Sequence, residues 1–474
     1  MKLWAIYPEL LTGGLALLLV PVAGWARGKW QQIPFWTAVA GLTASVVLTA
    51  RMLPWQPFTI FKDTYAVDGF SAGFKLLLEI GGVISLLIIH SDFKDHPQKA
   101  QAPIALLFTT LGGMGLVSAI DLGLIVLFIQ MLSLASYLLV GLIRKDPLGN
   151  EATLKYFIYA AAALAIMAYG LTFLYGMTGS LNLLKIGPGL IAADSLWVAV
   201  AFGFILMGYG FEMTLVPFHF WAPDVYQGTT APVAGFLSVV PKIAGFAGLL
   251  RFLLLAFPGG LIHWPLIIAI LAAVTMFFGN LAALRQRRLK RLLAYSSIAQ
   301  AGYLLMAVAV SGRAEGAVSA AGYYLAAYLF MNLGAFAVIT QLERALGTGE
   351  IASLQGLGKR SPVAAAVLAV SLLSLAGIPP LAGFIGKIFL LEAAIDGGMT
   401  WLAVIGIINM VIGLYYYLAV TAQMYFKEPV AETPLPSDGF YTFSFLLTTT
   451  GTLLLGVLPA PVLNITRQLG ELVR

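Results

Sequence analysis

The chain is written in long apolar runs separated by short polar ones. Fourteen runs, at residues 3–24, 33–53, 70–90, 103–120, 122–143, 154–177, 194–216, 230–256, 262–284, 291–311, 315–342, 361–390, 399–426 and 440–462, are each long enough to cross roughly 30 Å of hydrocarbon. They are continuous and do not alternate, so they predict helices and not the strands of a barrel. The longest polar stretches, 54–69, 91–102, 178–193 and 343–360, leave no soluble domain. The expected fold class is an all-α polytopic membrane protein. The first run begins LWAIYPELLTGG, is interrupted by Pro8 and Glu9, and has only Lys2 before it. It reads as a retained span and not as a signal peptide.

Composition supports this class. Of 474 residues, 60% are hydrophobic and only 10% are charged, against roughly 25% charged in soluble domains. The absence of cysteine excludes disulfides, thiolate metal sites, iron–sulfur ligation and a cysteine nucleophile in this chain. His90, His96, His219 and His263 have no spacing that suits a haem pair or a metal-binding helix, so no metal site is expected. The net charge of +6 does not point to nucleic acid, because the basic residues sit in loops. Even the tightest cluster, Arg285–Arg291, reads as a membrane anchor.

Those loops are asymmetric. Loops after odd-numbered runs hold Arg27, Lys29, Lys94, Lys99, Arg144, Lys145, Lys155, Arg285, Arg287, Arg288, Lys290, Arg291, Arg344, Lys359, Arg360 and Lys427. The other side holds half as many: Lys2, Arg51, Lys62, Lys185, Arg251, Arg313, Arg467 and Arg474. The excess puts the odd loops in the cytoplasm and both termini outside, which in a bacterium is the periplasm.

Lys75, Lys242 and Lys387 fall inside apolar runs, as do Glu79 and Glu212, with Glu392 nearer an end. A charge at the bilayer centre costs about 2.5–3.5 kcal/mol on insertion scales, so such residues face a bundle interior or a hydrated path. The seventh run carries Glu212 and then Pro217; the twelfth carries Pro379 and Pro380 and then Lys387. An ionisable group beside a proline break in two separate runs points to inverted repeats, although two ordinary proline kinks give the same pattern. Lys75 and Glu79, four apart, share a helix face and stand within reach of a neighbouring subunit.

Several segments resemble the antiporter-like membrane subunits of respiratory complex I, the proton-pumping NADH–quinone oxidoreductase. These are LVPFHFWAPDVYQGTTAPVAGFLSVVPKIAGF (215–246), LKYFIYA (154–160), LYGMTGS (174–180), GNLAALRQRRLKRLLAYSSIAQAGYLL (279–305), YYLAAYLFMNLGAFAVI (323–339) and LAGIPPLAGFIGK (375–387). The run VYQG at Val225–Gly228 is similar to the N type of subunit. The resemblance implies fourteen helices, broken seventh and twelfth spans, and two inverted five-helix repeats. The units expected are 1–102, 103–256, 262–426 and 427–474.

It also implies proton translocation. Lys242, after Pro241, matches the family's central lysine, and Lys387 its terminal one. The alternatives are a snorkelling lysine at 242 and a fixed countercharge for Glu392 at 387. Three positions depart from the family pattern: Gln130 and Glu212 stand where the family has a glutamate and a lysine, and Gln300 where it often has a histidine. One reading makes Glu212 the partner of Lys242, with Gln130, Gln300, Ser296 and Ser297 holding a water relay. His219 is either part of that relay or a support for the break, and Asp224 a cap for the turn before the eighth span.

The family role implied is a membrane-arm subunit working beside other membrane subunits in the inner (cytoplasmic) membrane. It would hold no cofactor of its own, with NADH, FMN, iron–sulfur clusters and quinone bound elsewhere in the complex. Three rivals share the fold: a subunit of a multisubunit sodium–proton antiporter, a hydrogenase-type membrane module, and a non-pumping structural spacer.

Overall fold

Polar side chains open many of the helices. Asp68 accepts from the Ser71 N–H at 2.8 Å and completes a reciprocal capping box, and the side chains of Asp121, Asp146, Asn182, Asp194 and Asp438 each accept from a backbone N–H at the start of their helices. The computed structural model describes residues 3–143, 146–257, 262–429, 435 and 438–470. Lys2, Arg144, Lys145 and Arg474 of the topology count lie outside these, as does the Lys29 side chain.

A 3-10 turn at Leu3–Ile6 leads into α1 (Tyr7–Trp25) and α2 (Ile33–Ala50). A two-stranded antiparallel hairpin follows, β1 (Phe58–Ile60) on β2 (Tyr65–Val67), in the register Phe58 to Val67 and Ile60 to Tyr65. Then come α3 (Gly69–Phe93), α4 (Ala102–Ser118), α5 (Leu122–Val140), α6 (Pro147–Thr178), α7 (Leu183–Gly189), α8 (Ser195–Glu212), α9 (Trp221–Gly228) and α10 (Ala231–Ala256). The second half holds α11 (Trp264–Ala283), α12 (Leu289–Val310), α13 (Ala317–Leu346), α14 (Leu357–Arg360), α15 (Pro362–Ala376), α16 (Ala382–Asp396), α17 (Thr400–Phe426), α18 (Gly439–Val457) and α19 (Ala460–Arg467).

Among the described residues, 12 helices are long and apolar enough to cross a membrane. The sequence predicts two more spans, and each has a reason for falling short. The fourth, α4, is only 17 residues long. The twelfth is not one helix but two, α15 and α16, parted at Gly377–Leu381.

Burial sorts the spans. In an 18-residue apolar stretch of each of α10, α12 and α13, 94% is buried, against 33% in α1 and α6. The first three therefore form the centre, and α1 and α6 lie on the rim. Close approach at the centre relies on small residues. A Cβ on Gly279 of α11 would lie 2.5 Å from the Ala299 backbone nitrogen of α12, and one on Gly302 of α12 would lie 2.7 Å from that of Met276.

Two expectations are corrected here. Arg251 does not belong to a loop. It is fully buried in α10 and bonds both oxygens of Asp68, at 2.9 and 2.8 Å, and the Val117 carbonyl at 2.8 Å. Lys75 and Glu79 do not reach a neighbouring subunit, because both are fully buried among α1, α2 and α3.

Arg251→Ala leaves Asp68 buried without its countercharge, and breaking such a pair costs about 3–5 kcal/mol. The expected outcome is a lowered thermal midpoint or lost assembly of the purified complex. Arg251→Lys recovers only part of it, because an ammonium cannot span both carboxylate oxygens as the guanidinium fork does.

Candidate functional site

The seventh span breaks at Met213–Phe220, between α8 and α9. Pro217 has no N–H to continue a helix, and Thr214 takes a left-handed φ of 59°. The freed backbone groups find partners at once. The Leu215 N–H bonds the Gly210 carbonyl at 2.8 Å, the Val216 N–H bonds Thr275 Oγ1 at 3.2 Å, and the Trp221 indole bonds the Phe211 carbonyl at 3.1 Å. Glu212 ends α8 just before this break. It is buried, and its Oε1 accepts from Ser133 Oγ of α5 at 2.5 Å.

Lys242 lies within α10, directly after Pro241. It is 1% exposed, so it does not snorkel. Its Nζ donates to the carbonyl and the hydroxyl of Ser297 on α12, at 2.7 and 2.5 Å. It makes no ion pair with Glu212. The two nevertheless lie close along α10: a Cβ on Gly245, one turn past Lys242 on the same face, would sit 3.3 Å from the Glu212 Cβ, and it is the direction of the side chains that parts the charges. Glu212 turns from there back to α5, and Lys242 turns forward to α12.

From Ser297 the polar groups continue. Tyr328 of α13 donates to Ser297 Oγ at 2.8 Å. The neighbouring Ser296 hydroxyl meets Tyr417 of α17 at 2.5 Å. One turn on, Gln300 donates to the Tyr417 hydroxyl at 3.1 Å and to the Leu375 carbonyl at 3.1 Å, and its amide oxygen accepts from Tyr324. Leu375 O is also where Lys387 arrives, at 2.7 Å, with the Ala376 carbonyl at 3.3 Å.

The second break explains that last contact. Pro379 and Pro380 follow Gly377, which closes α15 with a φ of 89°. The terminal carbonyls of α15 then lose their helical acceptor role. Lys387, one turn into α16, supplies donors to them, in the place where the helix dipole favours a cation. Two glycines make room. A Cβ on Gly383 would lie 1.9 Å from the Ser374 carbonyl, and one on Gly377 would lie 3.2 Å from Lys387 Cδ.

The structure therefore gathers Lys242 with Ser297, and Ser296 with Gln300 and Lys387, into two hydrogen-bonded groups that meet at adjacent serines of α12, with Pro217, Pro379 and Pro380 at the breaks. It leaves out three expected members, of which Glu212 is held by Ser133 as described. Gln130 is half-buried and faces a groove of about 1080 Å³ lined by Val20, Phe108, Leu134 and Leu138. Ser133, one turn on, is the residue of α5 that meets Glu212. His219 is buried against Phe278 at 4.3 Å, and among the described residues it shows no hydrogen bond to Lys242, Ser296, Ser297, Gln300 or Lys387. Lys387 forms no ion pair with Glu392 among the described residues. Asp224 is not a turn cap. It lies inside α9 and pairs with Lys155 at 2.7 Å and Arg291 at 2.8 Å.

Tyr324, Tyr328, Tyr417 and Ser133 were not singled out from the sequence. One signal was available: Tyr324 and Tyr328 are four apart in an apolar run, hence on one face.

Residues 119–413 match the transmembrane family described as NADH:quinone oxidoreductase/Mrp antiporter. The NADH-quinone oxidoreductase subunit N of Heliobacterium modesticaldum is 37% identical over 465 residues, spanning 96% of each chain. A chain of respiratory complex I from Thermus thermophilus superposes with a TM-score of 0.83 at 32% identity, covering 96% of this chain and 98% of that one. A chain of the Mrp complex from a Dietzia species superposes with a TM-score of 0.87 at 21% identity, covering 99% and 97%, which is a likeness of fold alone. With two broken spans, a lysine at each end of the buried chain and this identity over nearly the full length, the chain belongs to the NADH:quinone oxidoreductase/Mrp antiporter family, among the NADH-quinone oxidoreductase N subunits.

Proposed function

We propose that this chain is a membrane-arm subunit of a redox-driven proton pump and carries protons between Lys242 and Lys387. The observation that carries the reading is the polar succession from Lys242 through Ser297, Ser296, Tyr417 and Gln300 to the carbonyl that holds Lys387. Both ammonium groups are held by neutral oxygens only, so each releases its proton without breaking an ion pair. A lysine locked to a carboxylate is a poorer carrier. Serine and tyrosine hydroxyls both donate and accept, as a relay needs, while Gln300 orients hydroxyls and does not titrate. The Leu375 carbonyl passes no proton itself. It fixes Gln300 and Lys387 against one point, where a water completes the path.

Glu212, held by Ser133, acts on Lys242 through its charge and not through contact. The broken spans fall at the fourth helix of two five-helix units, 103–256 and 262–426, which supports an inverted repeat flanked by 1–102 and 427–474. The basic asymmetry of the loops supports a place in the inner (cytoplasmic) membrane with both termini periplasmic. NADH, FMN, iron–sulfur clusters and quinone belong to other chains of the complex, which supply the driving energy. Moving one charge against the membrane potential costs about 2.3 kcal/mol per 100 mV.

Lys242→Met in the native complex, reconstituted into sealed vesicles, is expected to lower protons moved per electron while assembly holds. Lys242→Arg fails in the same way, because a guanidinium keeps its proton. An unchanged proton yield in both would overturn the reading in favour of a structural spacer.

Removal of single links grades the path. Tyr417→Phe deletes a hydroxyl that joins Ser296 to Gln300, and a lost hydrogen bond is worth about 0.5–1.5 kcal/mol, so coupled turnover should slow roughly two- to tenfold. Glu212→Gln should also lower coupled turnover, whereas Gln130→Leu, on the groove side, should leave it at the parent rate. Electron transfer and proton uptake measured together in the same vesicles separate these variants.

A further inference from the structure

A second cluster of ionisable groups lies apart from the central chain, among α1, α2 and α3. Lys75 Nζ is 2.5 Å from Glu9 Oε1, and the Tyr65 hydroxyl donates to the same oxygen at 2.7 Å. One turn deeper along α3, Glu79 Oε1 accepts from Ser45 at 2.6 Å and Thr49 at 2.9 Å. The other oxygens, Glu9 Oε2 and Glu79 Oε2, are buried with no hydrogen-bond partner. Lys75 and Glu79 are both 0% exposed.

The charges do not balance. Two carboxyls face one ammonium, and among the described residues no other charged group pairs with them. α2 and α4 contain no charged residue, β2 offers only Tyr65, and the nearest guanidinium, Arg251, is spent on Asp68. A structural tie needs only the Glu9–Lys75 pair. Glu79 adds an acid beyond what that tie requires, with one oxygen saturated by neutral hydroxyls and the other bare. An uncompensated charge at this depth is costly, and one proton removes the imbalance.

Glu9 stands nearest the end of the bundle, with its free oxygen turned inward. The Glu9 side chain is 12% exposed, at the first turn of α1 beside the hairpin. Above it Trp4 packs on Trp55 at 4.6 Å and on Phe58 at 5.8 Å, the aromatic belt expected where a bundle leaves the bilayer.

We propose that Glu9, Lys75 and Glu79 form a second proton-exchange site, which opens at the hairpin end of the bundle and holds its proton on Glu79. The proton enters through Glu9 and passes by way of the Lys75 ammonium, which gives one proton and takes one, and then through a bridging water to Glu79 Oε2, which has no direct bond to Lys75. No other bond changes. Occupancy alters the charge on α3 close to its contact with the helix of Lys242: a Cβ on Gly81 would meet Val240 at 3.1 Å. The site is thus placed to report the protonation of the hairpin face to the central chain.

Infrared difference spectra of the assembled complex in vesicles, taken between two pH values, test this. Glu79→Gln is expected to lose one C=O stretching band of an unionised carboxyl. Glu9→Gln is expected to keep that band but to slow its exchange in D₂O. If Glu79→Gln does not assemble, Glu79→Asp should shift the same band. A parent spectrum with no band that depends on residue 79 overturns the site, and unchanged exchange in Glu9→Gln overturns the route. Lys242→Met should lower proton yield and leave the band in place, so failure of this site and failure of the central chain are told apart.

Discussion

The bundle depends on one constraint: inside hydrocarbon, every backbone group released from a helix must find another partner within the protein. The two proline breaks release such groups at membrane depth, and the polar residues of the chain are arranged to meet them. At the second break the arrangement serves two needs at once. Lys387 is a buried cation without a carboxylate, and the end of α15 offers carbonyls without donors. Each satisfies the other. The lysine proposed as a proton carrier is thereby fixed in place by backbone and not by a countercharge.

The same economy runs through the centre. Lys242 is seated on a carbonyl and a hydroxyl of one serine, and tyrosines from α13 and α17 extend that serine's neighbourhood toward the second break. Glycines let the backbones come close enough for these short side chains to meet. The carboxylates follow a different rule. Asp68 is sealed by Arg251 in a bidentate pair, and Glu9 is held by Lys75, while Glu212 and Glu79 receive only hydroxyls. Pairs of the first kind hold helices together. Acids of the second kind have no ion pair among the described residues, which makes them the groups on which a change of charge is least obstructed.

Much of this was legible beforehand, for particular reasons. Lys242 and Lys387 stood out because ammonium groups are rare inside apolar runs, and the prolines because they cannot continue a helix. Asp224 and Arg251 were misread because a cap and an ion-pair partner look alike until the facing helix is known. Gln130 and Ser133 are separated by less than one turn, and only the rotation of α5 against α8 decides which of them meets Glu212. His219 has the spacing of a relay residue, but the break carries it onto Phe278.

The sequence by itself determined the class, the spans, the two interruptions and the depth of the lysines, because hydrophobic run length and proline chemistry act locally along the chain. Tertiary structure alone decided partnership: that Lys242 turns to Ser297 and away from Glu212, that tyrosines carry the chain onward, and that Lys75 closes on Glu9 at the rim. A side chain buried in a bundle has three or four facing helices from which to draw a partner. Which one it meets is set by helix rotation and crossing, and those are fixed by packing across residues far apart in sequence.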